Sequence, residues 1–294
     1  MKTYIFIFTL ILSSIAKAQL FDTSKLFENI HGLKQDRTTF YEVEGYSISD
    51  TYEAINPKDT DFIKFKRKYK IAKDALISES EEYRQAKIIT EISPVNSNQE
   101  TSRIIYVFPV SETEARVISF STLIKRNFEL EKYFLKTLIE GVIPSSSFTS
   151  IEIDSISFAG RYIQLGPICN WMSPHNIQCQ NMGQMNWSEF QSLDKAIEMT
   201  SAQYNMVSSK WMGKMISTDS IDVIFEGSET KILKVNYQLK APSLITGGTN
   251  KLVVFFVSTK VREKYVSCVL SQYVTNYSEF ELASLLSEVM TLKN

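Results

Sequence analysis

The chain has 294 residues, 44% of them apolar, with 32 basic and 33 acidic side chains and only two histidines. That apolar share supports a packed core and excludes a disordered chain. The near-neutral balance excludes a global electrostatic attraction to nucleic acid or to an anionic membrane.

The chain opens "MKTYIFIFTLILSSIAKAQLFD". Lys2 precedes a mostly apolar run from Tyr4 to Ile15, too short for the ~20 residues that span a bilayer. Ala16-Lys17-Ala18 is a small-x-small cleavage signal, so residues 1–18 are predicted to be an export leader removed before Gln19. No later stretch is apolar and long enough to span a membrane. The expected location is periplasmic or secreted, where disulfides persist.

"TSKLFENIHG", residues 23–32, predicts a short helix stopped by Gly32, with His31 at its C-terminal end. "IKFKRKYKI", residues 63–71, alternates strictly and predicts a strand with one lysine face. A helix that uses Phe62, Phe65, Tyr69 and Ala72 also fits. The lysine strip suits an anionic partner, but a solvated edge strand that resists aggregation is the commoner meaning.

Two segments echo each other. Residues 103–122 and 251–274 each contain an apolar strand, a short charged turn and a second strand, and each is followed by a helical pattern. Leu135, Leu138, Ile139 and Val142 match Leu282, Leu285, Leu286 and Val289 at i, i+3, i+4, i+7. Ser278 with Glu281 suggests a capping box for the second helix. Pro144 and the serines after it mark a break within 143–150. The expected fold class is therefore α+β, with two related halves, residues 19–145 and 150–294. Each half is an antiparallel sheet followed by a packed helix. In the second half, Ser188 and Gln191 predict a helix over about 188–208. Strands are expected at 221–225, 232–239, 252–258 and 265–274, with Cys268 on an apolar face.

The chemistry concentrates in "CNWMSPHNIQC", residues 169–179. In an exported chain with three cysteines, one bridge and one leftover thiol are expected. The preferred pairing is Cys169–Cys179, closing a loop that displays Trp171, Met172 and His175 toward a partner or ligand. Seven methionines lie between 172 and 215, and thioethers with imidazole suit Cu(I). The candidate ligands are His175, Met182, Met185, Met212 and Met215, although Met more often fills an irregular apolar seam. The sequence has no G-x-S-x-G, H-E-x-x-H, P-loop or G-x-G-x-x-G pattern.

Together these features predict an exported, non-enzymatic binding protein of the cell envelope or extracellular space, with no cofactor. Its partner would be a protein or an envelope ligand. The alternatives are a secreted hydrolase of an envelope or extracellular polymer that uses carboxylates, and a periplasmic copper protein built on the 169–215 cluster.

Overall fold

The computed structural model describes residues 26–27, 30–55, 60–83, 85–96, 99–152, 154–165, 168–180, 183–208, 213–240 and 248–293. The expected export leader, residues 23–25 and 28–29 of the expected first helix, Met182, Trp211 and Met212 lie outside the described residues, while His31 and Gly32, expected to end that helix, begin a strand instead. Among the described residues, no helix is long and apolar enough to cross a membrane.

The chain first builds an antiparallel sheet. Its early elements are β1 (His31–Gln35), β2 (Thr38–Val43), β3 (Tyr46–Glu53) and helix α1 (Thr60–Lys68). They are followed by β4 (Leu76–Glu79), β5 (Lys87–Asn96), β6 (Gln99–Pro109), β7 (Ala115–Thr122), helix α2 (Phe128–Glu140) and the short β8 (Phe148–Thr149). From edge to edge the order is β4-β5-β6-β7-β3-β2-β1-β8, with β8 parallel to β1. A small hairpin follows, β9 (Ser155–Phe158) with β10 (Arg161–Gln164). The second sheet uses β11 (Cys169–Ser173), β12 (Asn176–Cys179) and β13 (Gly183–Phe190), then helix α3 (Leu193–Ser208). It continues with β14 (Gly213–Phe225), β15 (Ser228–Leu239), β16 (Lys251–Val261), β17 (Lys264–Val274), α4 (Ser284–Ser287) and β18 (Met290–Leu292). Its order is β18-β14-β15-β16-β17-β13-β12-β11. If β1–β3 are set against β11–β13 and β4–β7 against β14–β17, the two orders coincide, with one helix between the third and fourth strand of each set.

The expected α+β class is therefore corrected. The protein is mostly β, with two eight-stranded sheets and few helices. The helix expected at the end of the second half is a single turn, α4, and the Ser278–Glu281 box does not start it. Leu285, Leu286 and Val289 are buried as the periodicity implies, but against a sheet a single turn followed by β18 buries them equally well.

Two further expectations change for physical reasons. Residues 63–71 begin in a helix, α1, and not in a strand. Phe62, Phe65 and Tyr69 stack in succession at 5.5 and 4.4 Å, and Phe65 is buried among Ile89, Ile105 and Val117. The aromatic spacing outweighs the alternation of lysines. Ser188 lies inside β13, and α3 starts only at Leu193. Trp187 and Phe190 need the strand to reach the core, and Ser192 accepts from the backbone of Lys195 at the true helix start.

Helix α2 follows its local code. Asn127 caps it by accepting from the Leu130 amide, and Gly141 ends it in the left-handed region. Its buried face is Leu130, Phe134, Leu135 and Leu138, packed on Tyr41, Ile48 and Phe120. Ile139 and Val142, assigned to that face from sequence, are exposed.

The two sheets dock through a small apolar cluster of Ile124, Phe190, Ala196 and Met199. The Glu44-Gly45 turn between β2 and β3 presses into it. Both residues have positive φ, as a two-residue hairpin turn requires. A Cβ at Gly45 would come within 2.6 Å of Met199 Cε and 3.0 Å of the Phe190 ring, which adds to the preference of the positive φ for glycine. Polar bridges flank the cluster: the Lys125 amide donates to Glu198 at 2.9 Å, and Gln99 donates to the Ala202 carbonyl at 3.1 Å.

Candidate functional site

Between the face of the first sheet and the β13–α3 edge of the second lies a cleft of about 520 Å³. Its floor follows from strand register. His31 pairs with Glu42, Glu42 with Ser47, Ser47 with Ser121, Ser121 with Arg103, and Arg103 with Glu91. Residues opposite one another on neighbouring strands share a face. The six therefore form one polar row across six strands, and all but His31 line the cleft. The opposite face of the same strands carries Tyr41, Ile48 and Phe120 and is covered by α2.

At one end of the row, charges are locked. Arg103 Nε donates to Glu91 at 2.6 Å, and its guanidinium also donates to the Tyr69 carbonyl. The other oxygen of Glu91 accepts from the Ala72 amide at 2.6 Å. This fixes the segment after α1, which places Lys70 and Ala72 at the rim.

At the other end the row meets the hairpin β11–β12. The two histidines, far apart in sequence, come together there with ring centroids 4.1 Å apart. His175 Nδ1 lies 2.8 Å from Glu42 Oε2, a hydrogen-bond distance without hydrogen-bond angles. The His175 ring stacks on Trp187 at 4.8 Å. His175 is 2% exposed and Glu42 6%. Burial lowers His175 to about 4 and raises Glu42 to about 8, the latter opposed by hydrogen bonds from Ser188 and the Gly45 backbone. Burial, with the charges of His175 and Lys264, lowers His31 to about 2. Burial thus favours the uncharged form of all three groups. Buried polar atoms without hydrogen-bond partners gather at this spot: Glu42 Oε2, both His175 ring nitrogens and Trp187 Nε1.

Cys169 and Cys179 form a disulfide. They are directly opposed on β11 and β12, so the bond clips the hairpin whose tip carries His175 in a left-handed conformation. Replacing both by serine is expected to cost about 2–3 kcal/mol, read as a lower urea midpoint. An unchanged midpoint contradicts a stabilising clip. Cys268 is free and fully buried, and burial pushes its thiol up, so native alkylation should leave it unmodified.

The structure sorts the residues singled out from sequence. His175, expected on an exposed loop, is interior. Trp171 is half-buried and donates to the Ser150 carbonyl at 3.1 Å. Met172 is exposed. The copper candidates are not brought together. Met185 is buried on β13, whereas Met215 is exposed on β14. Three strands separate β13 from β14, roughly 19 Å at the usual strand spacing. Among the described residues no group of three or more His, Cys, Asp or Glu is arranged to hold a metal ion. Sequence reading offers Glu42 only as one of many carboxylates and misses Ser47, Ser121 and Arg103, because nothing local marks a row that exists only through register.

No family model and no curated protein matches the chain. Among solved structures, the chain is similar to the di-domain ARO/CYC StfQ from the steffimycin biosynthetic pathway, at 10% identity and a TM-score of 0.16. That match covers 82% of this chain and 72% of StfQ. It is also similar to the di-domain ARO/CYC BexL from the BE-7585A pathway, at 10% identity and a TM-score of 0.15, covering 76% of this chain and 70% of BexL. DynU16, from the dynemicin biosynthetic locus, gives 7% identity and a TM-score of 0.18, covering 82% of this chain and 73% of DynU16. Likenesses this distant carry no argument for fold or activity.

Proposed function

We propose that the protein is an exported binding protein that holds a polar ligand in the cleft between its two sheets. The carrying observation is the row Glu42–Ser47–Ser121–Arg103–Glu91 on the floor of a cavity of about 520 Å³. The cavity volume falls in the range of small-molecule sites, where a few placed polar groups fix the ligand. The export leader and the disulfide both suit an oxidising compartment, periplasmic or extracellular.

The test is an amide NMR titration of the mature chain with small polar fragments, including monosaccharides, amino acids and short amides. Shifts are expected at Ser47, Ser121, Arg103 and Asn186. Ser121→Trp, which fills the cleft from its floor, should abolish them while the fold is retained. Shifts confined to other surfaces, or unchanged in Ser121→Trp, overturn the reading.

One observation favours a second reading, a hydrolase. Glu42 lines the cleft and is held protonated at neutral pH by its burial, as a general acid must be. Turnover of an oligomeric substrate that disappears in Glu42→Gln would favour it, and binding without turnover favours the binding protein.

A further inference from the structure

The chemistry of the cleft narrows the class of ligand, on the premise that the cleft is the binding site. We infer that it takes an extended, uncharged, hydroxyl-rich chain, a neutral glycan segment, laid across the strands from Glu42 toward Glu91.

Four observations carry this. First, the floor is long and regular. Five positions, one on each of five adjacent strands, place a side chain every ~4.8 Å over roughly 19 Å, which suits a repeating chain better than a compact metabolite. Second, the groups on offer are mainly hydroxyls. Ser47 and Ser121 lie on the row, with Ser93 and Thr101 around it, while the Asn186 and Gln203 amides are hydrogen-bonded to each other. A hydroxyl both donates and accepts, so the row matches a ligand whose own groups do the same. Third, the floor has little net charge to attract an ion. Arg103 is neutralised by Glu91, and Glu42 is buried beside His175. Lys70 sits at the rim on the exposed side. Fourth, the cleft is also lined by Leu123, Met199 and Met206, which supply apolar surface for the C–H faces of sugar rings.

An extended peptide is the competing occupant. Peptides held in extended form commonly add to an open sheet edge through main-chain hydrogen bonds. Here the ligand surface is a sheet face whose main chain is already committed to the ladder, so recognition falls to side chains.

The experiment is isothermal titration of the mature chain with neutral oligosaccharides of two and of five sugars, with acidic oligosaccharides of similar length, and with unrelated pentapeptides. The expected result is binding of neutral pentasaccharides at least tenfold tighter than of disaccharides, with acidic sugars and peptides weaker. Binding should fall at least tenfold in Ser47→Val with Ser121→Val. Ser47→Ala with Ser121→Ala serves as a second pair, and each is checked for an unchanged melting temperature. Polar fragments that shift cleft residues while neutral oligosaccharides fail to bind overturn the glycan assignment and leave the cleft reading standing. Tighter binding of peptides or acidic sugars also overturns it. Silence of the cleft toward fragments and oligosaccharides alike overturns both.

Discussion

Between pH 6.5 and 4.5 the buried cluster of His31, Glu42 and His175 alone is expected to cost the folded protein about 2 kcal/mol of stability. The chain has only two histidines, and both lie in the cluster at the closed end of the cleft. Burial lowers His175 from 6.5 to about 4 and His31 from 6.5 to about 2. Below pH 6.5 the unfolded chain therefore takes up two protons that the folded chain refuses. Glu42 acts the other way. Burial raises it from 4.5 to about 8, so between 4.5 and 8 the folded chain holds a proton that the unfolded chain has released. Within the acidic window the unfolded state is ahead by up to one proton, and stability falls with pH by at most about 1.4 kcal/mol per unit. Above pH 6.5 only Glu42 differs, and stability falls as pH rises toward 8. The cluster alone thus gives a stability maximum near pH 6.5.

Urea unfolding from pH 4.5 to 8.5 reads this profile directly. Glu42→Gln is expected to remove the alkaline fall and to steepen the acidic one, because two protons are then unopposed. His175→Asn, which tolerates the left-handed backbone at that turn, should flatten the acidic limb. A wild-type profile level across this range refutes the buried, neutral description of the cluster. The nearby charged groups, Lys264 and Glu189, lie 3.8 Å apart. For Glu226, burial is outweighed by the hydrogen bonds and charges of Arg161 and Arg262, which lower it overall, so the stability it contributes is lost only as pH falls through that lowered value.

Trp187→Ala is expected to cost about 3–5 kcal/mol, in the range for deleting a large aromatic side chain from a core. Trp187 is 1% exposed and touches Phe158 edge-on, Trp171 at a tilt and His175 face-on. Its amide also donates to the His175 carbonyl at 2.9 Å, so strand and hairpin tip are tied through main chain and ring together. Removing the indole opens the His175 pocket to water, which should move that histidine back toward its ordinary range and shrink the acid-induced loss. The Trp187→Ala and His175→Asn effects on the acidic limb should then be strongly non-additive. A cost below about 1 kcal/mol, or an acidic limb unchanged from wild type, means that Trp187 does not seal the cluster.

Local signals settled a good part of this molecule. The hairpin 103–122 and the strands at 221–225, 232–239, 252–258 and 265–274 stand where alternation and short links place them. Gly141 ends α2 as its backbone freedom allows. Cys169 and Cys179, ten residues apart on the two arms of one hairpin, are bonded, because a turn of that length brings its arms opposite each other. Where two periodicities competed, local reading failed. The lysines of 63–71 alternate like a strand, while its aromatics repeat like a helix, and burial of Phe65 under the sheet decided between them. Ser188 has the residue type and spacing of a helix cap, yet the demand of Trp187 and Phe190 for the core keeps it in β13.

The candidate site belongs wholly to the second category. Its row draws one residue from each of six strands, and the partners Ser47 and Ser121 or Ser121 and Arg103 meet only through the order β5-β6-β7-β3-β2-β1. His31 and His175 come from different sheets and meet because the disulfide hairpin folds over β1 and β2. Composition, the leader pattern, strand periodicity and the cysteine pair are properties of short stretches of chain, so the sequence by itself determined them. Register across strands, docking of one sheet on another and the burial that neutralises Glu42 and the histidines depend on residues that the linear order keeps apart, and only the tertiary structure decided those.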